Sequence, residues 1–225
     1  MKAQLSRAQA LPADADNATL IGRAWLPAAN GPAIVVVKDG SIYDLSPVAV
    51  TASSLLDLDD PVAAVRQASG LSRVGSVDDL LANSALDTRD SRTPWLLAPC
   101  DLQAVKASGV TFVASLLERV IEEQARGDAA KAAGLRTSIL AVIGQSLHDV
   151  RPGSPDAMRL KGMLIGQGVW SQYLEVGIGP DAEIFTKCPP LASVGTGAEV
   201  GIHPKSEWNN PEPEVVLAVS STGKT

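Results

Sequence analysis

Ala33-Ile34-Val35-Val36-Val37-Lys38-Asp39-Gly40-Ser41-Ile42-Tyr43-Asp44-Leu45 decides how the first part of this chain folds. Four consecutive β-branched residues are stiff at χ1 and pack well on a pleated surface, so Ala33 to Val37 predicts a strand. Asp39-Gly40 accepts the positive φ angles of a two-residue turn, and Ser41 to Leu45 is then the return strand of a hairpin. On the N-terminal side, Pro27, Asn30, Gly31 and Pro32 supply turns. On the C-terminal side, Ser53 to Leu58 and then Pro61 to Ser69 predict short helical structure. Asp59 or Asp60 is the N-cap there, and Pro61 stands at the first helical position. These elements predict a small β-rich domain over residues 1–93. It closes where Asp, Thr, Arg and Ser crowd together from Asp87 to Thr93.

Residues 94–225 open on a helical region. Val113, Leu116, Leu117, Val120 and Ile121 fall at i, i+3, i+4, i+7 and i+8, one apolar stripe, with Glu118, Arg119, Glu122, Glu123 and Arg126 on the other face. Glu122 and Arg126 form a favourable i,i+4 pair. Gly127 ends this helix, and Asp128 caps a second that runs to about Ile143. Ser154 caps a third that starts at Pro155 and runs to about Gly168.

Near the end of the chain, Val215 to Val219 is a second β-rich apolar run, headed by Glu212-Pro213-Glu214. Residues two apart on a strand project to one face roughly 7 Å apart, so the two carboxylates point the same way. Like charges at that spacing repel unless a proton or cation lies between them, and hard oxygen donors suit Mg²⁺, Mn²⁺ or Ca²⁺. The same residues also read as a solvated strand edge, because Pro213 gives up a backbone donor. Gly195 to Gly201 lacks the spacing and the following helix of a dinucleotide fingerprint and reads as a turn. His148 and His203 are too few for a histidine-based metal centre, and His203 beside Pro204 reads as a loop residue. Trp170, Tyr173 and Trp208 read as core or as pocket lining.

The 225 residues are 45% hydrophobic and 20% charged, ordinary values for a folded chain of one large or two small domains. A formal charge of −6 argues against nucleic acid or an anionic membrane as partner, since both require a basic footprint. No run reaches the length of a membrane span and the first 20 residues lack a signal-peptide core, so a cytoplasmic location is expected. Cys100 and Cys188 are far apart in sequence and read as small buried hydrophobes.

The order of motifs in the second half resembles the fumarylacetoacetate hydrolase family. Ile184-Phe185-Thr186-Lys187-Cys188-Pro189-Pro190, then Val194-Gly195, then Ile202-His203-Pro204, then Glu212-Pro213-Glu214 before an apolar strand, is similar to that family's Phe-x-Lys-x-Pro, Gly-rich turn and Glu-x-Glu. The resemblance spans roughly Leu97 to Thr225. It implies an α+β, mostly β fold: a small N-terminal β-rich domain, then part of a β-rich catalytic domain with an inserted helical region. It implies a divalent-metal enzyme, hydrolysing a C–C bond in a small anionic 2-oxo or diketo acid, with Glu212 and Glu214 as metal ligands and a homodimer as the working form. The family's third ligand, an Asp, is expected beyond Thr225. Lys187 matches the family's lysine, a cation for a substrate carboxylate or enolate; the alternative is a surface lysine on a strand.

In the stretch Gly109 to Glu118 the resemblance places Glu118 on the family's glutamate and Ser115 on its histidine. That histidine and glutamate orient and deprotonate the hydrolytic water in the family. A serine hydroxyl cannot act as a general base near neutral pH. Dehydration of 2-oxo-3-deoxy sugar acids, practised by other members of the superfamily, needs an enolising metal and a proton donor, and Ser115 is compatible with it. A polar helix face without a chemical role, within an inactive fragment or binding scaffold, is the remaining reading of Ser115 and Glu118.

Overall fold

A computed structural model describes the chain apart from residues 1–5, 109–112, 144–150, 167, 181–183, 208 and 210–212. After a short helix α1 (Arg7–Ala10), the strands β1 (Leu20–Leu26), β2 (Gly31–Lys38) and β3 (Ser41–Asp44) form a meander. The β2–β3 turn is the predicted one: Asp39 and Gly40 have φ of 49° and 71°, and Lys38 pairs with Ser41. Helices α2 (Ala52–Leu56) and α3 (Pro61–Gln67) follow, then β4 (Arg73–Ser76), α4 (Val77–Ala82) and β5 (Trp95–Leu97). Asp60 caps α3 by accepting from Ala63 N at 2.8 Å. The strands make one antiparallel sheet in the order β4-β3-β2-β1-β5.

The β-branched run explains the centre of this sheet. Ala33, Ile34, Val35 and Val36 are all buried, which requires cover on both faces. Ile34 and Val36 pack with Leu45, Leu55 and Val65 under α2 and α3, while Val35 packs with Ile42, Val77, Leu80 and Leu81 under α4. Burying each such side chain contributes about 1.5–3 kcal/mol. This unit comprises Met1–Ala104 and Cys188–Thr225.

Val105–Lys187 forms a second compact unit. Strand β6 (Val105–Ser108) pairs with β7 (Ile184–Cys188), and between them lie α5 (Val113–Ala125), α6 (Ala129–Ile143), α7 (Pro155–Gly166) and α8 (Gln172–Ile178). All three predicted helices form, α5 ending and α6 and α7 starting where their sequences predict. Arg126 and Gly127, at φ of 50° and 86°, end α5, and the Asp128 carboxylate accepts from Ala130 N and Lys131 N at the start of α6. Val120 and Ile121 of the predicted stripe are buried with Ala157, Leu160, Leu164, Leu174 and Ile178. Among the described residues, no helix is long and apolar enough to cross a membrane.

Three expectations are corrected. The protein is mixed α/β, but the described residues contain more helix than strand, so "mostly β" does not hold. One cause is the second: Val215–Val219 joins no sheet and lies exposed, because β-propensity orders a strand only where another strand completes its ladder. Third, Cys100 and Cys188 are partly exposed rather than buried. Trp95–Leu97, just past the polar run at 87–93, pairs with β1 in the first unit's sheet.

Candidate functional site

Lys187 lies on β7, two residues after Phe185, and its Nζ stands 5.0 Å from the centre of the Phe185 ring. Strand periodicity puts both side chains on one face, as their spacing predicts. Both are exposed, so the ammonium is open to an anion. On the paired strand, Lys106 Nζ donates to Thr186 Oγ1 at 2.6 Å.

Ser115 and Glu118 are one turn apart on α5. The Ser115 side chain lies outside the described residues, as do Glu212, His148 and Trp208. The exposed Glu118 carboxylate takes a two-pronged contact from α6, from Arg136 Nε at 3.0 Å and Nη2 at 2.7 Å. Those hydrogen bonds hold its carboxyl below the usual range and raise the guanidinium's own pKa. A carboxylate so held is a weaker base than a free one, which suits an orienting role better than proton abstraction.

Glu214 is exposed at the head of an unpaired segment, with Val215 92% and Val216 76% exposed behind it. Its oxygens are of the class that Mg²⁺ takes, but no strand fixes their position. Among the described residues, no group of three His, Cys, Asp or Glu side chains could hold a metal ion. The described residues therefore fit a divalent cation in donor type and do not complete a coordination sphere. His203 behaves as a loop residue, its Nδ1 accepting from Lys205 N at 3.2 Å. Gly195 and Ala198 close the predicted turn, with Ala198 N donating to Gly195 O at 3.1 Å and Gly197 at φ 82°.

The most connected buried carboxylate, Asp101, was not singled out by its sequence context. It accepts from Ala52 N at 2.7 Å, Ser53 N at 3.1 Å, Ser53 Oγ at 2.6 Å and Leu102 N at 2.7 Å. Arg23 Nε lies 3.5 Å away, and Arg23 Nη1 donates to Ala98 O and Cys100 O. Burial pushes the Asp101 carboxyl up, but the hydrogen bonds from Ser53, Leu102 and Ala52 outweigh it and hold the group below its ordinary range. With its acceptor positions taken, Asp101 is a clamp joining β1, the start of α2 and the chain after β5, not a free acid or metal ligand. Apart from Leu102, its side-chain partners lie 48 to 78 positions away, so no local pattern announces it.

No protein-family model, no curated protein and no solved structure matches this chain.

Proposed function

We propose that the protein is a divalent-metal-dependent enzyme of the fumarylacetoacetate hydrolase type that hydrolyses a C–C bond in a small 2-oxo or diketo acid. The observation that carries this reading is the ordered series Phe185, Lys187, Gly195, Glu212 and Glu214. Two local features support it: Phe185 and Lys187 share a face of β7, and Gly195 opens a tight turn. In this proposal Glu212 and Glu214 would hold Mg²⁺, Mn²⁺ or Ca²⁺, and the ion would polarise the substrate's carbonyl. Lys187 supplies the positive charge for the substrate carboxylate, and Glu118, kept ionised by Arg136, orients rather than abstracts. A cytoplasmic homodimer is the working form that goes with this reading.

Ser115 favours a second chemistry, dehydration of a 2-oxo-3-deoxy sugar acid, because no histidine is present there to deprotonate water. The engagement of Glu118 by Arg136 favours a third, a scaffold that binds without turnover. Incubation with diketo acids and with 2-oxo-3-deoxy sugar acids, in Mg²⁺ or in chelator, separates them. Chelator-sensitive cleavage is the expected result, water loss without cleavage indicates the dehydratase, and binding without product indicates the scaffold. If hydrolysis is the activity, Ser115→His should raise it by about 10²-fold or more, the usual contribution of a positioned base.

A further inference from the structure

A cleft of about 330 Å³ opens on the edge of the first unit's sheet, between β1–β5 and the loop 191–198. Its size is at the low end of small-molecule sites. Trp25 and Trp95 are cross-strand partners on β1 and β5, stacked with ring centres 5.6 Å apart and planes at 17°. The Arg89 guanidinium lies over the Trp95 ring at 4.9 Å. Opposite them stand Leu191, Ser193 and Val194. That wall is fixed by Gly195, whose backbone lies so close to β5 that a Cβ would meet the Leu97 carbonyl carbon at 2.7 Å.

Charge distinguishes this cleft from the others. Among the described residues, two arginines line it and no carboxylate does, in a chain of net charge −6. Two further clefts include acids, Asp16 and Asp39 in one and Glu123 in the other. Arg23 is offset by Asp101 behind it. Arg89 is not: Nη2 donates to the Ser84 carbonyl at 2.6 Å, Nε is buried with no hydrogen-bond partner, and none of the ion pairs among the described residues involves it. An indole face and a backbone carbonyl thus hold a guanidinium in place, and no carboxylate among the described residues pairs with it. Such a group is preorganised for a carboxylate and costs little ordering entropy to use.

We propose that this cleft binds a small monocarboxylate with a flat apolar body, the body lying against the Trp25–Trp95 surface and the carboxylate meeting Arg89. One such cation matches one negative charge, and the stacked indoles supply an apolar, polarisable wall. The site is distinct from Lys187 and does not depend on the metal-enzyme reading.

Benzoate is the probe, with benzamide as its neutral twin, titrated into the full chain and followed by tryptophan fluorescence. Saturable quenching by benzoate is expected with a Kd on the order of millimolar, a reasonable affinity for so few atoms. Benzamide should bind at least about tenfold more weakly, since a charge-assisted pair is worth more than a neutral one. Arg89→Met should abolish the benzoate response, and Arg89→Lys should retain part of it. Should Arg89→Met fail to fold by circular dichroism, Ser193→Asp places a carboxylate in the wall and should abolish binding by repulsion. Trp170→Phe should leave the response intact. Absence of saturation, equal binding of benzamide, undiminished binding in the folded Arg89 or Ser193 variant, or loss in Trp170→Phe would overturn the proposal.

Discussion

Ala33-Ile34-Val35-Val36-Val37 and Val215-Val216-Leu217-Ala218-Val219 are nearly the same in composition and have opposite fates. The first lies in β2, paired to β1 on one side and β3 on the other, with Ile34 and Val35 1% exposed. The second is unpaired, with Val215, Val216 and Leu217 at 92, 76 and 71%. Intrinsic preference is the same in both. A neighbouring hairpin, joined by a two-residue turn, costs little loop entropy to close, so β2 finds β3 at once. Among the described residues no strand pairs with Val215–Val219, and the segment remains in solvent. β-branching therefore reports what a segment does once paired and not whether it is paired.

The comparison can be broken from the Asp101 side first. This carboxylate ties the chain leaving β5 to α2, and its own carbonyl accepts from Leu191 N at 2.8 Å, anchoring the segment that leads toward Val215. Asp101→Ala strands Arg23 beside an empty site and should cost about 3–5 kcal/mol in urea unfolding. The sign with pH follows from a folded-state pKa below the unfolded one. The contribution is complete above the unfolded value of about 3.9 and is lost as pH falls through the folded value. Acid titration of stability should therefore steepen below about pH 4 in the wild type and flatten in Asp101→Asn. An unchanged acid limb would mean that Asp101 is not clamped as described.

Next in size, Ile34→Ala should lower stability by about 2–5 kcal/mol, because it opens a cavity between β2 and the α2–α3 layer. Gly40→Ala tests the turn that gives β2 its partner. At φ 71°, and with Arg7 Nη1 within 2.5 Å of an added Cβ, it should cost about 1–2 kcal/mol. Most of that is backbone strain, since the arginine end can move. Smallest is Val216→Ala, expected to stay within about 0.5 kcal/mol in either direction, as for an exposed side chain. A loss as large as that of Ile34→Ala would show that the second run is packed in solution, and the contrast between the two runs would collapse.

Local chemistry was enough for much of the fold. The Asp39-Gly40 turn, the Asp60 and Asp128 caps, Pro61 and Pro155 at helix starts and the break at Gly127 all act within a few residues, and each appears where its residues call for it. For the candidate site, the sequence supplied the residue types and one local geometry, Phe185 beside Lys187 on a strand face. It did not reveal that Glu118 would be taken by Arg136, because that pairing depends on how α6 returns along α5. Nor did it single out the Trp25–Trp95 stack with Arg89, because Trp25 lies 64 or more positions from the other two.

Sequence by itself thus determined where turns and caps fall, which segments are amphipathic and which residues could carry charge to a ligand. These properties are set by dihedral preference and hydrogen bonds spanning at most a few positions. Tertiary structure alone decided which β-rich run became a strand and which carboxylate became a buried clamp. The clamp depends on partners 48 to 78 positions away, and the strand on pairing neighbours that one run has and the other lacks. Their arrival changes burial and hydrogen bonding, while the residue's own preferences stay the same.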